Sequence, residues 1–266
     1  MTSRLPNRAA TLFAVALLAL MTGCATSPGR ISPTVAARFK TIAVISTVAQ
    51  QFNRRYTGAT AFGNEAETIN IAGWKVDDEF EQQIVEAMNA LGPIKAVRLP
   101  DVRQQLLGIN DPNGPWDAPA FANPKWSAVE GKLRELAVKH KVDGFVFVTP
   151  RMSTDFLAGT NQLFAGSGFY ARGFGSRTSV SVMHVVAWVS IADANGKPVG
   201  MVTLAGRHEG WGGHMTVPLT TVAADLSRAP LSSYDEGRNK SVRALLVDVP
   251  GKSWAATINA LLYSNP

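Results

Sequence analysis

Few stretches of this sequence carry side chains whose spacing could do chemistry. His208, Glu209 and His214 surround Trp211-Gly212-Gly213. Their H-E-x4-H spacing differs from the H-E-x-x-H that sets two imidazoles on one helical face, and glycines 210, 212 and 213 oppose a helix there. The expectation is a polar loop, with no metal site. His184 lies among Val182, Val186 and Trp188 in a strand-like run and reads as a core histidine, while His140 reads as an exposed cation at a helix end.

Ser167 sits in Ala165-Gly166-Ser167-Gly168-Phe169, which is not the G-x-S-x-G of a nucleophile elbow. Gly166 to Ala171 satisfies the loose dinucleotide form G-x-G-x-x-A, but the glycines at 173 and 175 would break the helix that must open there. No catalytic residue, metal or cofactor is assigned. The segment 156–177 mixes Phe164, Phe169, Tyr170, Phe174, Arg172 and Arg177 with glycines. It reads equally as an aromatic contact loop or as a loop folded over the sheet edge with its aromatics in a satellite core.

The remaining reactive side chain is Cys24, the one cysteine in the chain. A basic start (Arg4, Arg8), the apolar run from Ala9 to Leu20 and the small pair Thr22-Gly23 precede it. That is the layout of a secretory signal, too short for a membrane span of about 20 apolar residues. Met21-Thr22-Gly23-Cys24 resembles a bacterial lipoprotein lipobox, which implies acylation of Cys24 and removal of residues 1–23. The resemblance further implies, from Ala25 in place of an aspartate, a lipid-anchored site on the periplasmic face of the outer membrane.

Removing residues 1–23 from the 266 leaves 243, enough for a sizeable core. With 46% hydrophobic and 17% charged residues the chain reads as globular. Loss of Arg4 and Arg8 lowers the formal charge from +6 to +4, and no basic run points to nucleic acid. With Cys24 as the single cysteine, no internal disulfide can form, so folding rests on core burial.

Residues 24–38 read as a lipidated tether and 39–266 as one α/β domain. From Cys24 to Phe39 the tether would reach at most about 50 Å when fully extended. Phe39 to Ser46 is a compact apolar run of strand length, and Val142 to Val148 is an almost unbroken one of the kind covered on both faces. Between them lies a helix with Phe80, Ile84, Val85, Met88 and Leu91 on one face, with Asp78 and Glu81 spaced as a capping box. A short strand over 94–99, a helix from Asp101 and another with Trp126, Val129, Leu133, Leu136 and Ala137 inward complete a β-α-β-α-β half. A hairpin of 56–62 with 67–71 could turn at Gly63-Asn64.

The second half changes to a long hairpin of 178–191 with 198–207 about Asn195-Gly196. A two-residue turn there would pair Trp188 with Thr203, Val186 with Ala205 and His184 with Arg207. A broken C-terminal helix follows, with Val242, Leu245 and Leu246 before Pro250-Gly251 and Trp254, Ile258, Leu261 and Leu262 after it. The expected fold is α/β, a mixed sheet with a long β-hairpin and a C-terminal helix.

This order, with the D-x-x-G-K turn at Asp193, Gly196 and Lys197, is similar to outer-membrane lipoproteins such as the curli-secretion lipoprotein and the activators of peptidoglycan synthases. It also resembles the amino-terminal domain of the Tol translocation protein. The resemblance implies a binding or assembly module in the cell envelope, partnered by the membrane through its anchor and by another envelope protein, and not a catalyst. The alternatives are an envelope hydrolase or a lipoprotein that binds a small molecule or glycan.

Overall fold

The computed structural model describes residues 29–107, 126–154, 162–174, 177–204, 217–251 and 253–263. Cys24 and the trio His208, Glu209 and His214 lie outside them. In chain order the elements are α1 (Pro33–Ala36), β1 (Thr41–Ser46), β2 (Gln51–Thr57), β3 (Glu65–Asn70), α2 (Val76–Leu91), β4 (Lys95–Arg98), α3 (Pro100–Leu107), α4 (Trp126–His140) and β5 (Gly144–Pro150). Then come β6 (Met152–Thr154), β7 (Leu163–Ala165), β8 (Ser167–Phe174), β9 (Arg177–Val185), β10 (Ala187–Asp193), β11 (Pro198–Thr203), β12 (Leu219–Thr221), α5 (Ala224–Arg228), α6 (Glu236–Asp248) and α7 (Ser253–Leu262).

The fold is α/β, but with two mixed five-stranded sheets rather than the single one expected. The first has the order β11-β10-β5-β1-β4 and the second β12-β9-β8-β2-β3. In the first, β1 runs parallel to both β4 and β5, and β10 is antiparallel to β5. Ile42, Val44, Val146 and Val148 face a core shared with α2, α6 and α7, while Ala43, Ile45, Phe145 and Phe147 face α3 and α4. Burial on both faces is why these strands read as unbroken apolar runs. The α2 crossover thus lies on one face and α4 on the other, so the winding reverses between β1 and β5.

Two segments pass almost directly from one sheet to the other. Only Thr47–Gln50 separate β1 from β2, and only Val186 separates β9 from β10. The expected long hairpin is therefore divided. Its end near the turn pairs as anticipated, Trp188 with Thr203, but His184 lies in β9 opposite Gly168 and Leu219, and Val186 sits at the crossing. The turn itself is longer by one residue. Asp193 N–H donates to Lys197 O, Gly196 takes φ +80°, and a bulge at Ile191/Ala192 restores the register.

The early hairpin exists as β2 with β3, displaced toward the amino end and placed in the second sheet, where Gln51 pairs with Asn70. In α2, Phe80, Ile84 and Met88 are fully buried, Val85 is partly buried and Leu91 is exposed. The five buried positions expected for α4 are all buried.

Within residues 29–38, expected to belong to the tether, the chain packs on the domain. Ile31 and Phe39 are buried, Ile31 N–H donates to Leu261 O of α7, and Met201 N–H of β11 donates to Gly29 O. The chain from Gly29 onward is thus part of the domain, because Ile31 and Ala36 complete its core.

The second sheet depends on a close approach of β2 and β8. A Cβ at Gly168 would lie 1.9 Å from Asn53 O. Gly168→Ala is expected to push these parallel strands apart and lower the unfolding free energy by at least about 1–3 kcal/mol. Gly131→Ala, in α4 with open space around it, is expected to raise stability by about 0.5–1 kcal/mol. Thermal unfolding of the two variants side by side checks both signs.

Candidate functional site

The contact segment of the sequence reading is mostly strand. Phe169 and Tyr170 lie in β8 and are fully buried, Phe169 edge-on to Phe52 at 4.9 Å, so neither is a surface contact residue. Arg172 is half-buried in β8, and Phe164, Phe174 and Arg177 belong to β7, β8 and β9. Gly168 and Gly173, two of the glycines that suggested a loop, pair in β8 with His184 and Thr178 instead. Ser167 is buried and its hydroxyl donates to Gln51 O at 2.8 Å, a structural bond far from nucleophile geometry.

His184 is buried in β9, and burial lowers its pKa to about 4 against a smaller opposing effect of a backbone bond to Gly166. It is a neutral core imidazole at pH 7. His140 closes the last turn of α4 as expected, but it is half-buried, with Nε2 away from solvent, rather than exposed.

The described residues concentrate charge at the carboxyl end of β1. Ser46 Oγ donates to Asp77 Oδ1 at 2.6 Å, Ala49 N–H to the same oxygen at 3.1 Å, and Gln50 Nε2 to Oδ2 at 2.5 Å. One turn along α2, Glu81 Oε1 accepts from Ser46 N–H and from Arg103 Nε, both at 2.9 Å. Glu81 Oε2 lies 2.5 Å from Arg103 Nη2 and 3.6 Å from Arg98 Nε. Arg103 also reaches Asp78 at 2.7 Å.

Asp78 and Glu81 therefore do not form the capping box that their spacing suggested. The residue before the helix is Lys75, in the left-handed region, with no side-chain cap. The acidic first turn of α2 is turned inward onto β1 through Asp77 and outward onto three arginines, Asp78 onto Arg98 and Arg103 and Glu79 onto Arg243.

Burial pushes the Asp77 carboxyl up, against the bonds from Ser46, Gln50 and Ala49 and the charge of Arg103. Burial also pushes Glu81 up, with Asp77 adding to it and Arg103 and Ser46 N–H opposing. Burial alone would lower Arg103, but Glu81 and Asp78 outweigh it and hold the guanidinium charged. Asp77 and Glu81 are 2% and 0% exposed, and their oxygens are taken up by internal donors and guanidinium groups. Such a cluster fixes geometry. It clasps the start of α2, the end of β4 and α3 around the last residue of β1.

No family model and no curated protein matches the chain. Among solved structures, the lipoprotein GNA1162 from Neisseria meningitidis is similar over 77% of this chain and 93% of that one. The identity is 9% and the TM-score 0.28, a likeness too remote to carry an argument about fold or role.

The clasp was not legible as a unit, because Ser46, Asp77, Glu81 and Arg103 are up to 57 positions apart and meet only once α2 has folded back on β1. Removing one charge should expose its cost. Glu81→Ala leaves Arg103 buried without its main partner, and an unfolding titration should show a loss of about 3–5 kcal/mol. The exposed pair Lys132–Glu135 on α4 provides the comparison, and its removal should cost under about 1 kcal/mol.

His184 gives a pH test. The unfolded chain takes up this proton near pH 6.5 and the folded chain only near 4. The contribution is therefore complete above pH 6.5 and lost as the pH falls toward 4, on the order of 3 kcal/mol in all. Stability curves of wild type and His184→Gln should converge in slope above pH 6.5 and diverge below it, wild type falling more steeply.

Proposed function

We propose that this chain is a lipid-anchored lipoprotein of the cell envelope whose α/β domain acts as a binding or assembly module against the membrane that holds it. The observation that carries this reading is the spacing between Cys24 and the start of the fold. The Arg4–Leu20 signal pattern and the lipobox-like Met21–Cys24 supply the anchor, and the domain begins at Gly29, docked on β11. Four residues, Ala25–Pro28, intervene.

Five residue steps span at most about 18 Å. The domain is then held against the lipid surface, with no arm to reach across the periplasm. That favours a partner embedded in or lying on the same membrane over one on the opposite membrane. Ala25 supports the outer membrane as that surface, and the lipobox resemblance supports acylation of Cys24, palmitate being a suitable label. Among the described residues no helix is long and apolar enough to cross a membrane.

A single acyl chain binds only marginally, whereas each further buried CH2 adds about 0.8 kcal/mol, so a multiply acylated Cys24 is an effectively permanent anchor. Metabolic labelling with palmitate followed by membrane fractionation tests this. Wild type should take up label and stay with membranes after a high-salt wash, and Cys24→Ser should do neither. Unlabelled wild type recovered in the soluble fraction would remove the basis of the proposal.

A further inference from the structure

We propose that the carboxyl end of β5 and the adjoining amino end of β10, on the α3/α4 face opposite the Asp77–Glu81 clasp, bind a small ligand through its oxyanion head, using Thr149, Ser190, Trp188 and Arg151. The site does not depend on the anchor. It follows from where buried polar atoms without partners collect.

Thr149 Oγ1, Ser190 Oγ, Trp188 Nε1 and Arg151 Nε are all buried and have no hydrogen-bond partner. They are not scattered. Thr149 is the cross-strand partner of Trp188, Ser190 is two residues further along β10 opposite Phe147, and the Arg151 guanidinium lies 5.0 Å over the Trp188 ring. Directly opposite side chains start about 4.5–5.5 Å apart, and residues two apart on a strand about 7 Å. One carboxylate or phosphate group could therefore accept from several of these donors. Of the other buried atoms without hydrogen-bond partners, Glu81 Oε2, Arg98 Nε and Arg103 Nη2 meet one another in the ion pairs of the clasp, while Thr57 Oγ1 and His140 Nε2 sit singly on separate elements.

Strand alternation fixes the face. Phe145, Phe147 and Ala192 pack against α4, so Thr149, Trp188 and Ser190 point to that same side. This is also the place where the winding of the sheet reverses, between β1 and β5. In open α/β sheets the loops part there and leave a crevice outside the carboxyl ends of the strands, which is where ligands enter. Thr47 lines the β1 side of that point, its hydroxyl turned to Val148 O at 3.5 Å.

The donor inventory selects the ligand class. An indole N–H and a guanidinium N–H can only donate, and the two hydroxyls can do either. The group that satisfies all four must accept, and the guanidinium favours a negative charge. A buried donor without an acceptor is destabilising, so the sheet retains a standing reason to bind one. Stacking on Trp188 orients the Arg151 fork, as a lysine in its place could not.

The test uses the full chain in detergent micelles with its six tryptophan indoles labelled with nitrogen-15. The Trp188 resonance is identified by its loss in Trp188→Phe. Sodium acetate and sodium phosphate are titrated against sodium chloride at matched ionic strength. A saturable movement of the Trp188 indole signal is expected with acetate, phosphate or both, and the stronger anion assigns a carboxylate or a phosphate head. Arg151→Gln should weaken binding about tenfold or more. Thr149→Val, equal in shape, should weaken it several-fold while the other indole signals stay in place. No movement in wild type, the same movement with chloride, or affinity unchanged in both variants would overturn the proposal.

Discussion

Everything in this fold converges on the last residue of β1, where Ser46 is buried between two acids that cannot be left charged and unpaired. Moving a carboxylate out of water costs several kcal/mol even after relaxation, and only dense pairing returns it. Asp77 is met by three donors and Glu81 by a backbone amide and Arg103. To satisfy those bonds α2 must begin directly over β1, β4 must end beside it so that Arg98 can approach, and α3 must fold back to deliver Arg103. The clasp therefore sets the positions of two helices and the end of a strand.

The same point is where the chain leaves one sheet for the other. Immediately after Ser46 the backbone turns through Thr47–Gln50 into β2, with Ala49 N–H and the Gln50 side chain held by Asp77. A fixed exit angle there places β2 beside β8, at a distance that only Gly168 permits. On the far side, Arg54 of β2 is buried and donates to Ser227 O and Arg228 O of α5 while pairing with Glu65 of β3. Charged side chains thus fasten the second sheet at both ends, and its apolar face continues the core of the first through Phe52, Phe169 and Met183.

What the sequence made legible follows from these forces. β1 and β5 stand out because both faces are covered, and α4 and α7 because one apolar stripe meets a sheet. The second sheet was legible only in part. The β2–β3 hairpin was expected but displaced, since β2 carries Asn53, Arg54 and Arg55, and β9 was read as part of a longer strand, whereas β8 carries Gly168 where backbones touch and was not read as a strand. The run from Thr178 to Ile191 looked like one strand because the crossing residue, Val186, is as apolar as its neighbours. The acids of α2 mimicked a capping box, since spacing alone cannot distinguish a carboxylate that reaches back to its own helix from one that reaches a distant serine and arginine. Of the proposed contact residues, Phe169 and Tyr170 were misplaced for the same reason that hid β8.

The short link between Cys24 and Gly29 turns these local facts into an account of where the domain works. Ile31 docks on α7 and Gly29 on β11, leaving four residues between Cys24 and the fold; with Cys24 acylated as proposed, the β11 side of the domain would lie next to the lipid. Neutron reflectometry of the acylated chain in a supported bilayer measures that gap directly. Protein density beginning within about 20 Å of the headgroups is the predicted result. A water layer of about 50 Å between bilayer and protein, the reach of a free arm ending at Phe39, would contradict it.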